Sequence, residues 1–491
     1  MRLAAAAVAT FAWLDSTSAI AQTFKPEVPL AWDDRAVETF ELPLAQADRS
    51  PRYPSSQEYY ALKPRVIYRS YPVYAPGREP AGYQEWLKQR EPEILFDPSK
   101  LRTREDWIQA GRVVFQSHII FNPAPRVTEV DATLPISPDG ALPPFRPGNR
   151  YYIRKKGVIE VGVNACADCH TRIMPDGSFL EGAQGIVARP FSPSAVKQVR
   201  ESSPAASARR LENDWILFGA PWIQSKEAFA AAMTTDRAAE QLAANHPGVF
   251  ARQGTSRSHP VHVPSLIGVQ DRRYLDATGL VRHRSIGDLM RYAVVNMGLD
   301  TSARFGDFQP SAKPTVFGGE EGTRYSDEQL YAMALYLYSL KPPENPNPRD
   351  ALASRGQKVF EQQGCGGCHT PPLYTNNRLT PAIGFKVPDD LRKTESVLDI
   401  CVGTDPALAM TTRRATGFYK VPSLLGVWYR NAFGHEGQAE TLEEWLDAAR
   451  LQSDYEPKGF HIGPGAIKGH EFGLKLAAGD KRALIAFLKS L

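Results

Sequence analysis

The sequence predicts a mainly α-helical protein in which two tandem domains follow an irregular N-terminal arm. Three observations support this prediction. The pattern CxxCH occurs twice, at residues 166–170 and 365–369. Three other blocks of sequence also occur twice, in the same order around the two patterns. Ahead of them, residues 23–100 are rich in Pro and Tyr and show little helical periodicity.

The composition is that of an ordinary globular protein. The chain has 491 residues, of which 42% are hydrophobic and 23% charged, and its net charge is +4. This length is too great for one hydrophobic core, so two or three domains are expected. Basic residues form no cluster dense enough to predict nucleic-acid binding. The small positive charge favours at most weak docking to an acidic redox partner.

The first 21 residues have the layout of a secretory signal peptide. Arg2 precedes an apolar run from Leu3 to Leu14, and a small-x-small site follows at residues 19–21. The run is too short to span a bilayer, and no later stretch approaches the roughly 20 apolar residues that a span needs. We therefore expect residues 1–21 to be cleaved and the mature protein to lie in the periplasm, without a membrane span.

Cysteine usage points to a cofactor rather than to disulfides. Four of the five cysteines belong to the two CxxCH patterns, and only Cys401 stands apart, where we expect a buried, inert thiol. Two thiols at this spacing add to the two vinyl groups of a haem, and the next histidine coordinates the iron. The alternatives are a thioredoxin-like pair, which needs no histidine, and half of a zinc site. The sequence therefore predicts two covalent haem c groups.

Each predicted haem has two attachment cysteines and one proximal histidine. These residues are Cys166, Cys169 and His170 for the first haem (haem one), and Cys365, Cys368 and His369 for the second (haem two).

The repeated blocks predict that each haem is enclosed by a cytochrome-type domain of a few helices. The matching blocks are AGRVVF at 110–115 and RGQKVF at 355–360, VPSLIGV at 263–269 and VPSLLGV at 421–427, and MALYLYSL at 333–340 and LIAFLKSL at 484–491. The predicted divisions are the signal peptide 1–21, the arm 22–102, the first domain 103–343 and the second domain 344–491. A stretch rich in Pro and Asn, residues 341–350, is the predicted linker.

The first copy is longer than the second on both sides of its CxxCH pattern. Additional residues lie between 115 and 170 and between 170 and 263. Insertions of this size often build a pocket or a lid, although surface loops without a function are the alternative.

A segment of the second copy resembles a known family. FYKVPSLLGVWYRNAFGHEGQAETLEEW at 418–445 is similar to the C-terminal signature of the bacterial diheme cytochrome c peroxidase superfamily, which also includes the tryptophan-cofactor maturation enzyme and diheme rubber oxygenases. The resemblance covers roughly residues 105–491. It implies that the N-terminal haem is the reactive one and that the C-terminal haem supplies it with electrons from a small cytochrome or cupredoxin. Several relatives bind calcium between the domains, which no Asp-rich loop of this sequence supports.

The resemblance also bears on the second ligand of haem two. In the peroxidases this ligand is a methionine fourteen residues beyond the histidine of the signature, but counting from His435 leads to Ala449. KGHEFGLKL at 468–476 instead resembles the Gly-His-x-Phe-Gly segment of the rubber oxygenases. It implies His470 as the distal ligand, with Met410 as the alternative.

The distal side of haem one has several candidate residues. The repeat places Ala277 where the second copy has His435. His283 follows soon after, and we predict it as the catalytic group that moves a proton between peroxide oxygens; an exposed histidine in an Arg-rich turn is the alternative. The other candidates are Met174, His259, His262 and Met297.

The function that these features favour is an exported diheme c-type cytochrome with electron transfer and peroxidase-like activity. A non-catalytic electron carrier with two six-coordinate irons is one alternative. An oxygenase that acts on an apolar substrate is another. The sequence does not indicate the oligomeric state.

Overall fold

The computed structural model of the chain describes residues 24–46, 49–74, 78–123, 147–185, 192–252, 254–311 and 322–491. The signal peptide predicted at residues 1–21 lies outside these ranges. Within them, none of the helices combines the length and the apolar character that a membrane span requires.

The N-terminal arm contains regular structure, so the prediction that it is irregular was only partly right. Its helices and strands are α1 (Asp34–Phe40), α2 (Ser56–Tyr60), α3 (Tyr83–Lys88), β1 (Lys63–Pro64) and β2 (Ser70–Pro72). Helices α1 and α2 begin at local caps: the Asp33 side chain accepts from the backbone of Ala36, and Ser55 forms a capping box with Glu58. Helices this short leave no visible periodicity in a sequence.

The arm belongs to the largest hydrophobic core of the described chain. Trp32 is fully buried and packs against Tyr59 with ring centroids 5.2 Å apart. The arm also reaches the second copy, because the buried Glu41 forms an ion pair with Arg414.

Residues 103–343 contain eight helices and ten strands within the described ranges. The helices are α4 (Arg104–Gln116), α5 (Cys166–Cys169), α6 (Pro193–Arg200), α7 (Pro204–Phe218), α8 (Lys226–Ala232), α9 (Thr235–Ala243), α10 (Ile286–Asn296) and α11 (Asp327–Ser339). The strands are β3 (Ile120–Pro123), β4 (Arg150–Lys155), β5 (Val158–Val163), β6 (Thr171–Ile173), β7 (Phe179–Glu181), β8 (Val249–Phe250), β9 (Val261–His262), β10 (Tyr274–Leu275), β11 (Val281–Arg282) and β12 (Thr323–Arg324).

Residues 344–491 are simpler. Their elements are α12 (Ala351–Gln362), α13 (Asp389–Thr394), α14 (Ala407–Met410), α15 (Leu442–Trp445), α16 (Ala478–Lys489), β13 (Leu379–Pro381) and β14 (Phe418–Lys420). The predicted linker, residues 341–350, forms neither helix nor strand.

The first and third repeated blocks form the same helix pair in both copies, which agrees with the helical part of the prediction. Helix α4 packs on α11, and α12 packs on α16. A Cβ added at Gly111 would overlap the carbonyl of Ala332, and one at Gly356 would overlap the carbonyl of Ala483. Glycine therefore permits the same close helix crossing twice.

A four-stranded sheet in the first insertion was not predicted. Its strand order is β2-β4-β5-β3, so the arm supplies one edge strand. Strands β4 and β5 are rich in Tyr, Val and Ile, and Lys156 with Gly157 joins them as a two-residue hairpin in which Gly157 has φ +80°. The additional residues after the first CxxCH pattern instead contain helices α6 to α9.

Candidate functional site

Both CxxCH patterns fold as a tight turn. The backbone N–H of His170 donates to the carbonyl of Cys166 at 3.0 Å, and that of His369 donates to Cys365 at 2.8 Å. Each turn therefore places the first cysteine of its pattern close to the histidine that ends the pattern. None of these thiols is in a disulfide.

The environment of the thiols does not suit a thioredoxin-like pair. Burial raises the pKa of Cys166 to about 11 and that of Cys169 to about 12, and it also raises the pKa of Cys365 and Cys368. A reactive redox cysteine needs the opposite shift. The zinc hypothesis gains no support either, since no three His, Cys, Asp or Glu side chains meet as a metal-ion site in the described ranges.

The two histidines predicted as proximal ligands are held by backbone carbonyls. His170 Nδ1 lies 3.0 Å from the carbonyl oxygen of Pro264, in the first VPSL segment. His369 Nδ1 lies 3.2 Å from the carbonyl of Tyr374, and the backbone of Pro422, in the second VPSL segment, also hydrogen-bonds to this ring. A proton shared with a carbonyl fixes the tautomer and leaves Nε2 for a metal.

Burial keeps both proximal rings neutral, which is the form that binds a metal. It lowers the pKa of His170 to about 4 and lowers that of His369 as well.

The structure brings His470 opposite His369. Their ring centroids are 6.2 Å apart and the ring planes meet at 64°. Metal–nitrogen bonds of about 2 Å on two sides of one ion place two imidazole centres roughly 6 Å apart. The residues at the second CxxCH pattern therefore fit a haem with two histidine ligands.

Arg450 fixes the loop that carries His470. The fully buried guanidinium donates to the carbonyls of Trp445 at 2.7 Å, Gly469 at 3.0 Å and His470 at 2.9 Å, and also to that of Ile467. His470 itself has φ +48°, which few residues other than glycine adopt. One side chain thus holds a strained loop from inside.

His470 is further distinguished by its own surroundings. Burial, followed by the neighbouring His369, lowers the pKa of His470 to about 4. Its Nδ1 atom is buried without a hydrogen-bond partner in the described ranges. Met410, the alternative ligand, packs in a different cluster with Val261, Leu408 and Tyr419.

The first CxxCH pattern lacks this arrangement. No histidine ring of the described ranges faces His170 as His470 faces His369. Among the candidates, His262 Nδ1 is 2.9 Å from the carbonyl of Gly434, and Met297 is buried in the largest core. Met174 lies between β6 and β7.

Both ring nitrogens of His283, the predicted catalytic residue, have partners. Nδ1 lies 2.8 Å from the carbonyl oxygen of Arg272, and Nε2 lies 2.6 Å from the Tyr338 hydroxyl. His283 is buried and not an exposed turn residue. Proton transfer by this imidazole therefore involves Tyr338 or requires that bond to break.

The histidine of the family-like signature belongs to a cluster that joins the two copies. His259 Nδ1, from the first copy, lies 2.9 Å from Glu436 Oε1, and His435 Nε2 lies 3.5 Å from the same oxygen. Burial favours a high pKa for Glu436, but these two histidines outweigh it and lower the pKa to about 2.

Two further results concern residues outside the two CxxCH sites. Cys401 is exposed, so the expectation of a buried thiol was wrong: its apolar neighbour Ile400 is exposed as well. Sequence reasoning also missed Arg272 and Arg430, which stand at the same distance after the two VPSL segments. This shared position was the available signal.

No protein-family model matches the sequence, and no curated protein matches it. Similar solved structures include hydrazine synthase from Kuenenia stuttgartiensis (14% identity, 62% of this chain and 93% of that chain, TM-score 0.31). A MauG-like protein associated with microbial copper homeostasis has 17% identity, 62% and 89% coverage, and a TM-score of 0.32. A variant of the diheme peroxidase BthA from Burkholderia thailandensis has 16% identity, 65% and 94% coverage, and a TM-score of 0.26.

Proposed function

We propose that the protein is an exported diheme c-type cytochrome with electron transfer and peroxidase-like activity. The observation that carries the proposal is the difference between the two CxxCH sites. His369 faces a second imidazole, His470, and an iron held on both sides mostly transfers electrons. No such histidine faces His170 in the described ranges, which favours an open distal position and therefore an enzyme over an electron carrier.

When bound, the two haems would supply the redox chemistry, namely peroxide reduction at the first site and electron relay at the second. The cysteine pairs tether them, and the carbonyls of Pro264 and Tyr374 hold the proximal imidazoles. His470 is the second ligand of haem two in this proposal. His283, with Tyr338, is the group that moves a proton at the first site.

The proposal includes the predicted division into two cytochrome domains, 103–343 and 344–491, and cleavage of residues 1–21 on export to the periplasm. The electron donor is a small cytochrome or cupredoxin. The excess of basic over acidic residues is compatible with an acidic donor.

The test combines haem counting with spectroscopy of the purified protein. We expect the mass of the exported chain to show two covalent haems. Electron paramagnetic resonance of the oxidised and half-reduced states is then recorded with and without hydrogen peroxide or cyanide. We expect one low-spin signal that ignores both ligands and one signal that shifts on adding either.

Two outcomes would contradict the proposal. Absence of covalent haem would remove its basis. Two low-spin signals in both oxidation states, indifferent to peroxide and cyanide, would leave a non-catalytic electron carrier.

A further inference from the structure

A cavity lies between the two VPSL segments. We call it the inter-repeat cavity. Residues 262–265 and 420–423 form two of its walls, and each wall includes the proline whose backbone supports a proximal histidine. The cavity therefore lies between the two proposed haem sites.

The lining of the cavity follows the internal repeat. Five pairs of equivalent residues from the two copies belong to the lining: His262 and Lys420, Val263 and Val421, Pro264 and Pro422, Ser265 and Ser423, and Arg272 and Arg430.

The two arginines make matching contacts. Arg272 donates to the carbonyls of Ser265 at 2.5 Å and Ile267 at 2.9 Å. Arg430 donates to the equivalent carbonyl of Ser423 at 3.1 Å and to that of Leu425.

Two amide side chains complete this approximate two-fold arrangement. Gln184, from the first copy, accepts from the backbone N–H of Asn431 at 3.1 Å and donates to the carbonyl of Ala432. Asn377, from the second copy, accepts from the N–H of Arg273 at 3.2 Å and donates to the carbonyl of Asp271 at 2.9 Å. Each copy thus holds the segment that follows the VPSL block of the other.

The charge of the cavity is not balanced by the described residues. Lys420, Arg272 and Arg430 line it, and no described lining residue is Asp or Glu. The Lys420 ammonium has no hydrogen-bond or ion-pair partner in the described ranges, and the nearby Asp276 is paired with Arg252 at 2.8 Å. Charges that leave water without a partner are costly, so an anion here would stabilise the fold.

Two more observations agree with an anion-binding site. The Ser265 hydroxyl and the Arg430 Nε atom are buried and have no hydrogen-bond partner among the described residues. Burial, and then the charge of Arg272, lowers the pKa of Lys420 to about 7, although the nearby Asp276 acts in the opposite direction.

We propose that the inter-repeat cavity binds a carboxylate, with Lys420, Arg272 and Arg430 as the positive groups and Ser265 as a hydrogen-bond donor. Two sources share this chemistry: a propionate of a haem attached at either CxxCH pattern, or a small free carboxylate. The first source rests on the proposed function, whereas the second does not. A bound calcium ion is disfavoured in this cavity because its charge would repel all three cations.

The first test is a crystal structure of the exported holoprotein, grown once in chloride alone and once with malonate. A haem propionate oxygen within hydrogen-bond distance of Lys420 Nζ in both crystals supports the first source. Malonate in the cavity, seen only when it is added, supports the second. Water, chloride or a cation as the only occupant in both crystals overturns the proposal.

The second test is in solution and compares K420M with the charge-retaining K420R and with K386M, which removes an exposed lysine. For a free carboxylate, malonate at constant ionic strength raises the thermal midpoint of the wild type, K420R and K386M but not of K420M. For a haem propionate, malonate has no effect, and K420M lowers the reduction potential of at least one haem while K420R and K386M do not. If K420M and K386M show the same response of the thermal midpoint to malonate and the same reduction potentials, the proposal is contradicted.

Haem content, measured on the same preparations, separates failure of this inference from failure of the proposed function. Two haems with a water-filled cavity would overturn only the carboxylate site. Malonate binding in a chain without covalent haem would keep the site and overturn the proposed function.

Discussion

The imidazoles of His369 and His470 face each other with their ring centroids 6.2 Å apart. Helix α12 and the tight turn after it place the first ring, whereas a loop held by Arg450 places the second. Trp445 lies beside His470 at 5.7 Å and beneath the Arg450 guanidinium at 4.6 Å. The geometry of the proposed second haem site therefore depends on residues that are not among its proposed ligands.

Replacing His470 tests its role directly. We expect H470A to convert haem two from a low-spin to a high-spin form, because one of its two ligands is lost. Optical and electron paramagnetic resonance spectra of the oxidised protein measure this change. H461A is the matched control, since the His461 Nδ1 atom lies 2.8 Å from the carbonyl of Gly459, two residues away in the chain. An unchanged low-spin signal in H470A would exclude His470 as the second ligand of haem two and would favour the alternative ligand, Met410.

Arg450 is expected to act on both stability and ligation. R450M leaves several carbonyls without their donor, so we expect the free energy of unfolding to fall by more than about 3 kcal/mol. Denaturant unfolding gives this value, and R482M, which removes an exposed arginine, is the control. We also expect part of haem two to become high-spin in R450M. A fully stable, low-spin variant would show that the loop does not need this arginine.

The ion pair between His259 and Glu436 predicts a pH dependence of stability. Burial disfavours the charged His259, but Glu436 outweighs this effect and raises the histidine pKa above 6.5. A raised pKa stabilises the fold at low pH, and this contribution disappears as the pH rises through the folded-state value. We therefore expect the stability difference between wild type and H259Q to be largest near pH 5–6 and to shrink towards pH 8.

The carboxylate of the same pair acts at the acid end. The pKa of Glu436 is about 2 in the folded protein and 4.5 in its ordinary state. Its contribution is complete above pH 4.5 and is lost as the pH falls towards 2. Denaturant unfolding measured from about pH 2 to pH 8 tests both predictions, namely the loss of stability at low pH and the loss at high pH. A difference between wild type and H259Q that stays constant with pH would show that the pair does not stabilise the fold.

The close helix crossings predict that adding one methyl group, by replacing the crossing glycine with alanine, lowers the stability of the protein. G356A places a Cβ against the carbonyl of Ala483, where the backbone cannot move away, so we expect a loss of at least about 3 kcal/mol. G465A is the control, because a Cβ at Gly465 meets no atom within 4 Å and should change stability by at most about 1 kcal/mol. Equal effects of the two substitutions would contradict this account of the crossing.

The pairing of His283 with Tyr338 sharpens the test of the proposed proton transfer. If the proton moves through this pair, H283Q and Y338F should each slow peroxide reduction by about 100-fold or more while leaving the haem spectra unchanged. H461Q is the control for loss of a histidine. Rates within twofold of wild type would make His283 a support for the Arg272 carbonyl rather than a catalytic group.

The sequence predicted those features that local patterns determine. CxxCH specifies its own turn, and the repeated blocks specified the helix pairs because periodicity and close glycine contacts recur in both copies. The sheet was missed, although YYIRKKGVIEVGV at 151–163 contains a β-rich hairpin pattern around Lys156 and Gly157. Helices α1 and α2 of the arm begin at single caps, which periodicity does not reveal.

The distal residues were less predictable from pattern alone. His470 came from a family-like segment, not from spacing, because a loop far from His369 in sequence brings the two rings together. The engagement of both His283 nitrogens and the exposure of Cys401 depend on long-range packing. The periodicity of a sequence carries no information about contacts between residues that are far apart in the chain.

Gln184 and Asn377 each hydrogen-bond to the backbone of the other copy, so the two copies contact each other much as the two subunits of a symmetric homodimer do. In a symmetric dimer, every substitution at the interface appears twice, so neither subunit can change alone. Covalent fusion of the two copies removes that constraint. One copy has Lys420 where the other has His262, and one proximal ring faces a second histidine while the other does not. An approximately two-fold interface can thus support two different sites. The residues of each copy can change independently, while the contacts between the copies keep their relative position.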